Sequence, residues 1–263
     1  VPPTVRLPTA ADARAGALAQ FDLVAEAVAA LPDDAFATPT RLGTWTVAEL
    51  VAHLTANVAA VTRALAEPAP AEAETDLLGY LTAMRDYAPG VAQRATELAH
   101  GVSPETLRER LALAVSTARA DLDGAGDDRL VLVRLGAVRL SDFLVTRCVE
   151  GVVHGLDLRA ATGVPESPDR TALTVVVRTF AALLAVAAPG RAVEIRVPGH
   201  VAVQCLPGPR HTRGTPGNVV EADPVPFVEV CAGRTTWYDA VARGAVRASG
   251  GRADLTPYVP LIG

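Results

Sequence analysis

The segment Arg147-Cys148-Val149-Glu150-Gly151-Val152-Val153-His154-Gly155-Leu156-Asp157 decides how this chain is read. At about 100° per residue, Arg147, Glu150, His154 and Asp157 fall within one helical stripe about 80° wide. Leu144, Val145, Cys148, Val149, Val152, Val153 and Leu156 cover about half of the circumference or more. That pattern predicts the last helix of a bundle, largely apolar with one narrow polar edge. Glu150 and His154 are four residues apart, so both side chains can reach a single point about 2 Å from each donor atom. Taken alone, a Glu-x-x-x-His pair is more often the water-facing edge of an amphipathic helix than a ligand pair.

A second segment, Trp45-Thr46-Val47-Ala48-Glu49-Leu50-Val51-Ala52-His53-Leu54, carries a capping-box pattern at Thr46 and Glu49 and then His53 beside an apolar face. A lone histidine there is usually a satisfied core residue. Together with Glu150 and His154 it completes two nitrogens and one oxygen, the donor set of catalytic zinc sites that keep an open fourth position. The donor types favour Zn²⁺ and also admit Fe²⁺, Ni²⁺ or Mn²⁺. Arg147 shares the stripe and is expected to pair with Glu150 or a substrate carboxylate. Arg85 lies on the side of its helix marked by Leu78 and Leu81, where an anionic ligand or a structural ion pair would satisfy it. Asp157, one turn beyond His154, is a candidate hydrogen-bond acceptor from its imidazole, with capping or solvent exposure as the alternative.

Working outward, helices are expected over 10–31, from Thr46 to about Ala66, from about Ala73 to a break at Pro89 and Gly90, from Ser103 to about Asp123, and from a Ser141 or Asp142 cap to Ala161. Leu130 to Leu140 reads as a short hairpin around Gly136. Residues 163–170 read as a linker. Beyond it come a helix over 171–187, short strands over 193–197, 201–205, 219–222 and 227–231, a helix over 236–243 and a final strand over 246–249. The expected fold is therefore two domains: an all-α four-helix bundle over 1–163 and a small α+β domain over 171–263.

Composition removes several function classes. All 24 Lys-plus-Arg residues are Arg, so there is no lysine for a Schiff base or a phosphate loop. A net charge of −5 and 4% aromatic content argue against nucleic acid as the main partner. Cys148, Cys205 and Cys231 form no metal-binding pair and fit a reducing, cytoplasmic setting. Cys148 is expected to pack on the apolar side and not to act as a fourth ligand. Apolar runs such as 180–189 fall short of the about 20 residues that a membrane span takes, so no membrane partner is expected. His100 and His200 read as bland helix-end and turn residues, and His211 as part of a basic loop with Arg213.

The Trp-Thr-x-x-x-Leu-x-x-His-Leu segment at 45–54 and the Arg-x-x-Glu-x-x-x-His-x-x-Asp segment at 147–157 resemble the two metal motifs of the DinB-like four-helix superfamily. More narrowly they resemble the mycothiol-dependent maleylpyruvate isomerase family. The stretches at 219–224, 233–237, 247–250 and 252–255 are similar to the sterol-carrier-protein-like domain of many of its members. The resemblance implies that His53, Glu150 and His154 hold a divalent metal, usually zinc, with mycothiol as thiol cosubstrate. It implies a small electrophilic or anionic substrate and either cis–trans isomerisation or S-transfer. The competing reading is a non-catalytic binding protein whose second domain holds a lipid or other apolar ligand. A hydrolase using metal-activated water ranks below both. Monomer and homodimer are equally compatible with the sequence.

Overall fold

The computed structural model describes residues 5–84, 88–209 and 217–262 of the chain. It divides into two compact units, one over 9–172 and the other over 173–262 joined by 5–8.

The first unit is built on four long helices: α1 (Ala10–Ala29), α2 (Val47–Ala66), α5 (Pro104–Asp123) and α6 (Leu140–Thr162). Two shorter helices, α3 (Leu77–Met84) and α4 (Ala88–Ala99), lie between α2 and α5. Local sequence sets most of the ends. Thr9 Oγ1 accepts the Asp12 amide at 3.1 Å to start α1. The Glu49 carboxylate accepts from both the Thr46 amide, at 2.7 Å, and its hydroxyl, at 3.0 Å, to start α2. Ser103 caps α5 ahead of Pro104, and Gly163 ends α6 in the left-handed region at φ 84°.

Two expectations change here. Pro89 and Gly90 do not break a helix; they lie in the first turn of α4, where a proline lacks no needed amide. α6 starts earlier than Ser141, with Arg139 at its N-cap and no side-chain cap bond. The reason is that α6 runs directly on from the hairpin β1 (Leu130–Val133) and β2 (Gly136–Arg139), which pairs Leu130 with Arg139 and Val133 with Gly136. Gly136, at φ 107°, supplies the backbone conformation on the β2 side of that turn.

α6 is buried nearly all round, including Arg147 and Asp157, so it is the central helix and not an edge with a wet stripe. Its approach to α1 depends on missing side chains. A Cβ on Gly151 would meet Gln20 Cγ at 2.9 Å. Gln20 is itself fully buried, donating to Gly151 O at 3.1 Å and accepting from the Asp169 amide at 2.9 Å.

The second unit holds α7 (Arg170–Ala187), most of which lies within it, and a four-stranded sheet in the order β4-β3-β5-β6. The strands are β3 (Val193–Val197), β4 (Val201–Cys205), β5 (Val219–Ala222) and β6 (Val246–Ser249), with β3 and β5 parallel and the other pairs antiparallel. The run at 227–231, expected as a strand, is instead part of helix α8 (Pro224–Cys231), followed by α9 (Trp237–Ala242). Asp223 at the N-cap and Pro224 at the first helical position set a helix start that outweighs the β-branched residues behind it. α7 has 18 residues at hydropathy 1.6, so by length and composition a membrane-length apolar helix does exist, contrary to the sequence expectation; 67% of that window is buried inside the protein. The α7 residues Thr174 and Arg178 hold the β3–β4 turn through His200, at 3.0 Å to its Nδ1 and 3.3 Å to its carbonyl.

Candidate metal centre

α2 delivers His53 and α6 delivers Glu150 and His154 to one point, where their donor atoms all lie within 4.8 Å of one another. Glu150 Oε2 is 3.2 Å from His53 Nε2 and 3.5 Å from His154 Nε2. Three ligands at zinc-like bond lengths on a tetrahedral centre stand about 3.4 Å apart. The two measured edges straddle that value, so the donor set fits a small divalent cation. Among the described residues this is the group of His, Cys, Asp and Glu side chains so disposed. The imidazoles meet edge to face with centroids 4.7 Å apart, and Trp45 covers His53 at 5.3 Å.

Each imidazole is turned by a neighbour. His154 Nδ1 lies 2.9 Å from Asp157 Oδ2, and Asp157, with no exposed surface, also accepts from Arg41 Nε at 2.7 Å. With Nδ1–H donated to Asp157, Nε2 is the nitrogen that faces the site, its lone pair becoming available once its proton is displaced. His53 Nε2 lies 2.8 Å from Asn57 Nδ2, which also donates to Glu150 Oε2 at 3.0 Å. Arg147 is buried, and its partners are neutral: Nη1 donates to Asn57 Oδ1, Nε to Thr146 Oγ1 at 3.2 Å, and the guanidinium stacks over Phe143 at 4.6 Å. It does not pair with Glu150, the partner offered for it by sequence.

The electrostatics follow from burial against pairing. Burial pushes the Glu150 carboxyl up, but hydrogen bonds and charge from His154 and His53 outweigh it and hold the group well below the usual range. Burial pulls His154 down, yet Asp157 and Glu150 raise it to about 9. His53 is lowered, chiefly by burial, with Glu150 offsetting only part of it. Tyr80 of α3 is raised, first by burial, and lies near enough to feel the charges of Arg147 and Glu150.

The structure thus assembles His53, Glu150 and His154, with Asp157 behind His154 and Arg147 behind Asn57. Arg85 lies outside the described residues, as do His211 and Arg213. Cys148 is buried with its thiol donating toward Ala13 O and its pKa pushed far up by burial, which is packing and not ligation. Sequence reasoning missed Asn57, Arg41 and Tyr80. Asn57 is one turn beyond His53 on the same face of α2, a spacing that would have flagged it. Arg41 and Tyr80 reach the site only through tertiary folding.

Residues 17–159 match the mycothiol maleylpyruvate isomerase N-terminal domain, and residues 169–261 match the bacterial sterol-carrier-protein (SCP) ortholog family. The fold is similar to crystal structures of the mycothiol-dependent maleylpyruvate isomerase and of a histidine-to-alanine mutant of it. Each gives a TM-score of 0.60 at 16% identity over 94% of this chain and 95% of the other. No curated protein sequence matches the chain.

Proposed function

The chain belongs to the mycothiol maleylpyruvate isomerase family, and from that premise we propose that it is a metal- and thiol-dependent enzyme. It holds a divalent cation, Zn²⁺ by preference, on His53, Glu150 and His154. It uses a low-molecular-weight thiol, mycothiol by family, either for cis–trans isomerisation of an activated double bond or for S-transfer to an electrophile. The observation that carries the reading is the donor triangle itself, with edges of 3.2 and 3.5 Å and, among the described residues, three protein donors.

The cation supplies the positive charge that ionises a thiol at neutral pH, where a free thiol, with a pKa near 8.5, is mostly protonated. The protein's own groups do the rest. Asp157 fixes the His154 ring so that Nε2 faces inward. Trp45 and the apolar faces of α2 and α6 limit the water around the site. Arg147 brings a buried positive charge whose hydrogen-bond partners are neutral, a setting that favours an anionic group nearby. The cytoplasm, where such thiols stay reduced, is the proposed compartment.

The test is metal analysis of the purified protein and of His53→Ala and His154→Ala. The wild type is expected to carry one divalent ion, and each variant to lose it. Metal content unchanged in both variants overturns the assignment. Incubating the loaded protein with mycothiol and maleylpyruvate then separates isomer formation from thioether formation.

A further inference from the structure

Asn57 reaches the donor triangle with an atom that cannot bind a metal. Arg147 carries only donors, so the Asn57 atom facing it is the carbonyl oxygen, and the amide nitrogen is left facing inward. That nitrogen sits 2.8 Å from His53 Nε2 and 3.0 Å from Glu150 Oε2. These are nearly the separations that a further ligand atom would keep from those two donors. Exchange of the oxygen and nitrogen of this one amide would therefore put an oxygen ligand where the nitrogen now lies. Arg147, with Thr146 and the Phe143 ring holding it in place, opposes that exchange.

We propose that the Arg147–Asn57 pair is a lock that keeps the amide oxygen turned away from the cation, reserving a coordination position for an exogenous thiol. Asn57 is a positioning residue in this account: its amide nitrogen donates to Glu150 in the metal-free protein and, having no lone pair to offer a cation, yields the position to an incoming thiol, where an amide oxygen would compete with it. Arg147 acts through Asn57, in addition to its charge. The proposal rests on the metal-site reading above and concerns what that site accepts.

The experiment uses the full chain, stripped of metal and reloaded with Co²⁺, with 2-mercaptoethanol as the probe. The readout is the near-ultraviolet sulfur-to-cobalt charge-transfer band as thiol is added. Wild type and Asn57→Ala are expected to give the band at similar thiol concentrations. Arg147→Leu frees the amide to turn its oxygen inward, so the band should need at least about tenfold more thiol. The double variant Arg147→Leu/Asn57→Ala has no amide to turn and should recover the wild-type response. Asn57→Asp places a carboxylate at the position and should retain Co²⁺ more tightly against a chelator while losing the band.

Recovery in the double variant, or closure by Asn57→Asp where Arg147→Leu does not fold, supports the lock. An unchanged thiol response in Arg147→Leu, a band still missing in the double variant, or a wild-type response in Asn57→Asp overturns it. Failure of the wild type to take up Co²⁺ sinks the metal-site reading itself, a result distinct from these.

Discussion

Asp157 joins two groups that would otherwise be costly to bury, accepting from His154 Nδ1 and Arg41 Nε with no exposure to water. Replacing it with Asn keeps the shape but weakens the hold on the His154 ring. Asp157→Asn is expected to reduce Zn²⁺ affinity by about 10- to 100-fold, read by chelator competition; an unchanged affinity would mean that Asp157 does not orient the ligand. The same residue shapes the pH response. His154 carries a proton up to about 9 in the metal-free protein, whereas His53 is lowered and brings none at neutral pH. Zn²⁺ must displace that one proton, so apparent affinity should rise about tenfold per pH unit from about pH 7 and level off near 9. A flat profile below pH 8 would contradict this. The metal-free protein should behave in the opposite sense. Its stability from the raised His154 is fully present below the unfolded value of 6.5 and is lost as pH climbs through about 9.

At the level of elements, the α1–α6 contact constrains the site, because α6 carries two of the three candidate donors. Gly151 lies one residue after Glu150, and its missing side chain leaves room for the buried Gln20. Gly151→Ala should displace Gln20 from its two backbone partners and cost about 1–3 kcal/mol, read from the shift of a urea midpoint. An unshifted midpoint would mean that the helices separate freely. The four long helices were legible in the sequence from apolar spacing and from local end signals such as the Thr46–Glu49 pair, Ser103-Pro104 and Gly163, whereas α4 was not. The strands at 193–197, 201–205, 219–222 and 246–249 were legible from short apolar runs between turns. Residues 227–231 were not. Their composition favours a strand, and the deciding signal, Asp223-Pro224, lies just outside the run.

On the scale of the molecule, the sequence disclosed the candidate donors but not what holds them. His53, Glu150 and His154 follow from helical spacing and a motif, whereas the Arg41–Asp157 and Arg147–Asn57 bonds join residues about 90 to 116 positions apart, which no local pattern encodes. One property of the whole chain has a practical outcome. Cys148, Cys205 and Cys231 are all buried, and burial raises every one of their thiols, Cys205 to about 12. If the chain handles electrophiles as proposed, its own cysteines are thereby spared from alkylation. Ellman's reagent should find no rapidly reacting group on the native chain and three after denaturation, the pattern of a molecule that resists inactivation by the electrophiles it is proposed to handle.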